Sequence, residues 1–232
     1  VFRNENEKQR AHMRGGLYDQ NDIERYIFPR LLAICNERTR KESVLRWSNC
    51  LRLYRHGLIQ EHQIRFDDRF RRCQDLPFTF ECTIHANSYC YLDQDSLYHN
   101  RLNTESLSRG YTSDMWGLIK PLVLYLYDVT QNYSGFDFSA QMDFRVLLSA
   151  IDCAENESKV GNTNSLSKRL QIIKNIMNDP LVRDVLPRLD SRTMKRRTWA
   201  YYTAFRSRSA FLAYWIALWR YRRLRRAHGR HR

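Results

Sequence analysis

The chain has 232 residues, 43% hydrophobic and 13% aromatic, which suffices for a packed core and excludes a disordered chain. Six cysteines (Cys35, Cys50, Cys73, Cys82, Cys90, Cys153) stand at irregular spacing without a C-x-x-C pair, which excludes a zinc ribbon or dense disulfide scaffold and fits a reducing compartment. The net charge of +14 is concentrated: thirteen cations follow Asp190 with no acid among them, leaving residues 1–190 near +1.

Residues Val1 to Arg14 are polar and charged, with no apolar stretch of the kind a secretory signal needs. The absence of an initiator Met is what processing, or excision from a longer frame, would leave. The first helix signal is Asn21-Asp22-Ile23-Glu24, a capping oxygen with an acid three positions on. Ile23, Ile27, Leu31 and Ile34 follow at helical spacing, and Pro29 inside the pattern predicts a kink. After a charged connector, Val44 to Tyr54 is a mixed run, and His56 to Glu61 reads as a short helix. Ile64-Arg65-Phe66 alternates as a short strand does, ended by Asp67-Asp68.

Asp75 opens a helix whose buried stripe is Leu76, Phe80 and Ile84, running to Ala86. Ser88 to Asp93 reads as a strand, and a turn leads to Leu97–Arg101. From Ser113 the pattern is helical: Met115 to Leu126, Phe144 to Ile151, and Leu166 to Met177 ending near Pro180. Asn156 to Asn164 forms a polar linker, and a last helical region begins around Arg192.

Four groups of residues could carry chemistry. A carboxylate at a helix N-terminus, as at Asp75, meets free backbone N–H groups and the positive end of the dipole, which favour the ionised form and fix its direction. Asp75 is then either a helix cap or a proton acceptor. If Tyr98-His99-Asn100-Arg101 is extended, His99 and Arg101 share one face and offer an imidazole and a guanidinium to a diphosphate, with Arg109 in the hydroxyl-rich loop beyond; the plainer alternative is a solvated edge strand. Cys73, Cys82 and His85 have ligand chemistry, but only a fold that converged them would make a metal site, and buried thiols are the simpler reading.

The fourth group is the tail. Ala210 to Trp219 is an uninterrupted apolar and aromatic run, too short to span a bilayer, and Arg220-Tyr221-Arg222-Arg223-Leu224-Arg225-Arg226 follows it. Trp215 and Trp219 beside Arg220, Arg222, Arg223, Arg225 and Arg226 suit an anionic membrane surface. A core helix with a solvated basic end and an RNA-binding segment are the alternatives; no recognisable nucleic-acid module accompanies the run.

Several pieces occur together in a recognisable order: Arg52-Leu53-Tyr54-Arg55-His56-Gly57-Leu58-Ile59, Ile64-Arg65-Phe66-Asp67, Gln74-Asp75-Leu76-Pro77-Phe78, Tyr91-Leu92-Asp93, Leu97-Tyr98-His99-Asn100-Arg101 and Ser106-Leu107-Ser108-Arg109. This set resembles the acceptor side of family 2 glycosyltransferases of bacterial surface-polysaccharide pathways. With Gly15-Gly16-Leu17-Tyr18 and Ile27-Phe28-Pro29, the resemblance runs from Gly15 to Arg109. It implies a partial α/β, GT-A-like region with short strands over residues 1–112, followed by a predominantly α-helical extension over 113–190 and a basic aromatic membrane-surface tail over 191–232.

By that resemblance Asp75 is the catalytic base, which takes the proton of an acceptor hydroxyl as it attacks a nucleotide-sugar with inversion. His99, Arg101 and Arg109 help hold the donor diphosphate, and Arg52 and Gln74 lie near donor or acceptor. Gln74 stands where the family usually has an acid, and Asn100 where an aromatic residue is common. The family's Mg or Mn is held by a D-x-D pair in an upstream nucleotide-binding half that this chain does not show. Asp67-Asp68 and Asp93-Gln94-Asp95 have the letters of such a pair in the wrong place. The expected protein is a transferase portion, inactive by itself, acting on a lipid-linked or growing glycan at the inner face of the cell membrane. A non-catalytic remnant or binding module, docking on membrane or RNA through the tail, is the other reading.

Overall fold

The computed structural model describes residues 13–38, 45, 47–93 and 110–229, with side chains as far as residue 223. The described residues are mostly helical. Their only sheet is a two-stranded antiparallel ribbon in which β1 (Gly16–Tyr18) pairs with β2 (Tyr89–Tyr91), Leu17 opposite Cys90. Two compact units divide the chain: Val1–Asn103 with Leu118–Met142, and Thr104–Gly117 with Asp143–Arg232.

In the first unit the initial helix is irregular. Asp19, not Asn21, caps it, accepting from the Asp22 N–H at 2.9 Å. α1 (Gln20–Asp22) passes into a π turn at Ile23–Ile27 and a 3-10 turn at Phe28–Arg30. Pro29 explains the change, since it has no N–H to give the carbonyl four residues back. The side chains still bury as a row: Ile23, Ile27, Phe28, Leu31 and Leu32 have almost no exposure. Phe28 meets Tyr133, Phe136 and Phe138 at 5.6 to 5.9 Å between ring centres, and Phe138 reaches Phe80.

The strand expected at Ile64-Arg65-Phe66 does not form. α2 (His56–Glu61) stops when Gln63 turns left-handed, φ 52°, so that Gln63 N–H donates to Gln60 and Ile64 N–H to Ile59. This is a Schellman ending built without glycine. Ile64 is thereby turned inward, packing with Phe78 and Cys82 under Tyr54, Leu58 and Ile59, and is unavailable to a sheet. α3 (Asp75–Ile84) buries the anticipated Leu76, Phe80 and Ile84 and, in addition, Phe78, Thr79, Cys82 and Thr83. The Leu97–Arg101 segment lies outside the described residues.

α4 (Met115–Asn132) and α5 (Ser139–Asn156) follow, and the boundaries between units fall within them. The second unit continues with α6 (Leu166–Asn178), α7 (Pro180–Val185), α8 (Arg196–Arg206) and α9 (Ala210–Gly229). α9 packs on α6 and α8, burying Ala213, Tyr214 and Ala217. α8 ends as α2 does, with Arg208 at φ 53° and Ser209 N–H donating to Ala204. The polar stretch after α5 is not a loose linker, because Asn156, Glu157, Ser158 and Asn162 are all buried. Asn156 exchanges two hydrogen bonds with the Thr112 backbone, and Asn162 donates to the Glu157 carboxylate at 2.8 Å, so each side chain meets a partner.

Gln141 does the same work in the first unit. Its buried amide accepts from the Leu32 and Ala33 N–H groups at 3.0 and 3.2 Å and donates to the Phe28 carbonyl at 2.8 Å, closing the end of the Pro29 turn. Gln141→Leu strands three backbone groups and should lower unfolding free energy by about 2–5 kcal/mol, measured by urea titration. A loss below about 0.5 kcal/mol, within the usual effect of a surface change, would contradict this role.

Candidate functional site

The candidate site lies at the first turn of α3. The chain enters it through Cys73, held left-handed at φ 57°, and Gln74, which occupies the N-cap position, is exposed, and makes no side-chain cap. Asp75 is therefore the first helical residue rather than the cap. It is half-buried, and its carboxylate is directed to the preceding segment: Asn49 N–H donates to Oδ2 at 3.2 Å and the Asn49 side-chain amide donates to Oδ1 at 3.1 Å. A carboxylate has about four acceptor positions, so two bonds fix its plane and leave capacity on each oxygen.

Asn49 is itself held. Because its Nδ2 donates to Asp75, its Oδ1 must accept, and the Tyr54 hydroxyl donates to it at 2.6 Å. The Thr79 hydroxyl stands 2.9 Å from both Asn49 Oδ1 and the Trp47 carbonyl, with a single proton to give to one of them. Thr79 lies one helical turn after Asp75, so the same helix carries the carboxylate and the support of its partner. Burial raises the Tyr54 phenol above its ordinary value, which keeps it a donor.

Arg52 leaves this network towards the ribbon, donating to the Tyr89 hydroxyl at 3.3 Å with its guanidinium 5.8 Å from the ring centre. His99, Arg101 and Arg109 lie outside the described residues. Asn49, Tyr54 and Thr79 were not singled out by sequence. Tyr54 and Thr79 carried a signal, the first lying in a matched motif and the second at i+4 from Asp75; Asn49 carried none.

No group of three or more His, Cys, Asp or Glu among the described residues could hold a metal ion. Asp67 is engaged by Arg69 at 2.5 Å, and Asp93 accepts from the Gly15 N–H at 3.3 Å. The thiol of Cys82, buried against Ile64 and Phe78, is pushed up to about 11 by burial and then by Glu81. These residues do not fit the Mg or Mn implied by the resemblance, nor does a Cys73, Cys82 and His85 site form.

In the second unit the tail residues separate into two sets. Trp215, Trp219, Arg222 and Arg223 are exposed, whereas Arg220 is half-buried and donates to Glu155, which also takes Arg197 at 2.8 Å. Burial, with Glu155 beside it, raises the Tyr201 phenol strongly. Arg225 and Arg226 belong to the last turns of α9.

No family model, curated protein or solved structure matches the chain.

The packing that presents Asp75 has a titratable element. His62 and His85, at the C-terminal ends of α2 and α3, stack with ring centres 3.9 Å apart and planes 14° from parallel. Burial first, and His62 second, lower the His85 pKa below 6.5. The unfolded chain then binds the proton more readily, so the stabilisation is complete above pH 6.5 and is lost as pH falls through the lowered value. His85→Phe should reduce the loss of unfolding free energy between about pH 7 and about pH 5, measured by urea unfolding at each pH. An unchanged loss would remove His85 as its source.

Proposed function

We propose that this chain is the acceptor side of an inverting glycosyltransferase, in which Asp75 takes the proton from an acceptor hydroxyl as that oxygen attacks the anomeric carbon of a nucleotide-sugar. The observation that carries the proposal is the fixed Asp75 carboxylate, oriented by Asn49, which is in turn oriented by Tyr54 and Thr79. A general base works when its lone pair is aimed before the reaction begins, since orientation then costs nothing at the barrier. The order of the motifs around Asp75 supports the same reading. Under it the donor diphosphate meets His99, Arg101 and Arg109, Arg52 and Gln74 lie nearby, and the acceptor is a lipid-linked or surface glycan at the cytoplasmic side. Among the described residues no group of three or more His, Cys, Asp or Glu could hold a divalent metal.

A binding module without catalysis is the second reading, and one observation favours it. Both Asp75 oxygens already accept hydrogen bonds, which is sufficient for a structural tie between residue 49 and α3.

Asp75→Asn separates the two. In the full-length protein that carries this sequence, the variant should cut sugar transfer at least ~100-fold, the lower end of general-base contributions, while nucleotide-sugar binding stays within about twofold, under 0.5 kcal/mol. Transfer would be followed with radiolabelled donor into a lipid extract, and binding by calorimetry. Transfer at the parent rate would eliminate Asp75 as base and leave the module reading.

A further inference from the structure

α9 turns small residues and one tyrosine inward and leaves large apolar and aromatic side chains exposed, the reverse of the usual surface helix. The side packed on α6 and α8 contains the small residues Ala213 and Ala217 with Tyr214, whereas the exposed side carries Phe211, Leu212, Trp215 and Trp219, continued by Arg222 and Arg223. Phe211 is 58% exposed and Trp219 63%, values that exclude them from the core of this unit. At 1.5 Å per residue the ridge from Phe211 to Trp219 is about 12 Å long. Phe211 and Trp215 meet edge to face at 5.8 Å, and the Arg223 guanidinium lies 5.4 Å from the Trp219 ring centre. Exposed Arg206 and Arg208 stand just before the ridge, so its rings have cations at both ends.

Beside the ridge is a hollow of about 260 Å³ whose lining includes Ser158, Lys159, Arg169, Leu218, Tyr221 and Arg222. Arg169 is committed inward, to Asn162 and Asn164 carbonyls, and Lys159 donates to Gly110, but Arg222 is exposed at the rim.

We propose that the exposed ridge of α9 lies flat on an anionic lipid bilayer, with Phe211, Trp215 and Trp219 at headgroup depth and Arg206, Arg208, Arg222 and Arg223 on lipid phosphates. The proposal stands independently of the Asp75 chemistry. No helix of the described residues is long and apolar enough to cross a membrane, so the contact is along the surface. Aromatic rings with arginine at their flanks match the interface, where rings enter between headgroups and guanidinium groups find phosphate. A second copy of the chain fits poorly. Each copy would bring arginines at both ends of the ridge, and residues 191–232 contain no acid to offset them. RNA is the weaker polyanion here, because a convex helical ridge gives its bases no groove to splay into.

The test is flotation of the full chain with phosphatidylcholine vesicles and with vesicles of equimolar phosphatidylcholine and phosphatidylglycerol, at low and high salt. Binding should require phosphatidylglycerol and weaken with salt. Trp215→Ser with Trp219→Ser should lower the partition coefficient ~10-fold or more, and Arg222→Gln with Arg223→Gln by about 30-fold. Because all four side chains are exposed, helical content by circular dichroism should be unchanged in both variants. The proposal is overturned by absence of flotation with either vesicle, by flotation that the tryptophan pair does not alter, by displacement from vesicles on adding a single-stranded RNA, or by a dimer in sedimentation velocity that the tryptophan pair dissolves.

Discussion

The bond pair between Asn49 and Asp75 is what organises the entry to α3 in the first unit. The segment from Trp47 to Arg52 has only a 3-10 turn at Asn49–Leu51 as regular structure, and the described ladder gives it no strand partner. Its attachment runs through side chains. Asn49 reaches Asp75, Tyr54 reaches Asn49, and Thr79 reaches back towards Trp47 and Asn49, so a polar chain ties the segment to the first turn and one turn beyond of α3. Removing any member leaves partners unpaired in a partly desolvated place, which costs more than the bond itself contributes. The same constraint fixes the direction of the carboxylate, so that under the proposed function one arrangement would serve both as a structural tie and as a prepared base.

Both units use this device elsewhere. Gln141 replaces missing main-chain partners after the Pro29 turn, and Asn156 imitates a strand neighbour for Thr112. Glu157 is buried yet accepts from Asn156 and Asn162; its pKa is raised by burial and held back by those donors and by Arg169. Irregular segments can be enclosed only when their polar groups are satisfied, and here amide side chains supply the partners that helices and ribbons do not.

What could be read from sequence follows from how local each signal is. α3, α4, α5 and α6 were legible because their apolar spacing is repeated within a few residues. β2 was legible as alternation, but its partner at Gly16–Tyr18 was not, since a three-residue strand containing glycine has too short a pattern to register. Ile64 was misread as a strand because the turn that points it inward uses Gln63 where glycine is the usual sign. In the candidate site, Asp75 was visible as an acid at a helix start, whereas Asn49 could not be found, as its role depends on a contact across 26 positions. In the tail, composition gave the aromatic and basic character but not which rings are exposed, and it grouped Arg220 with its neighbours although Glu155 engages it.

The most direct test of the account is the rate of sugar transfer by the Asn49→Ala variant of the full-length protein. Asn49 touches the carboxylate rather than the reacting groups, so its loss should lower kcat about 10- to 100-fold with KM little changed, the pattern of a base that is present but no longer aimed. A kcat equal to that of the parent, in a variant that remains folded, would contradict the claim that this hydrogen-bonded pair prepares Asp75 for catalysis.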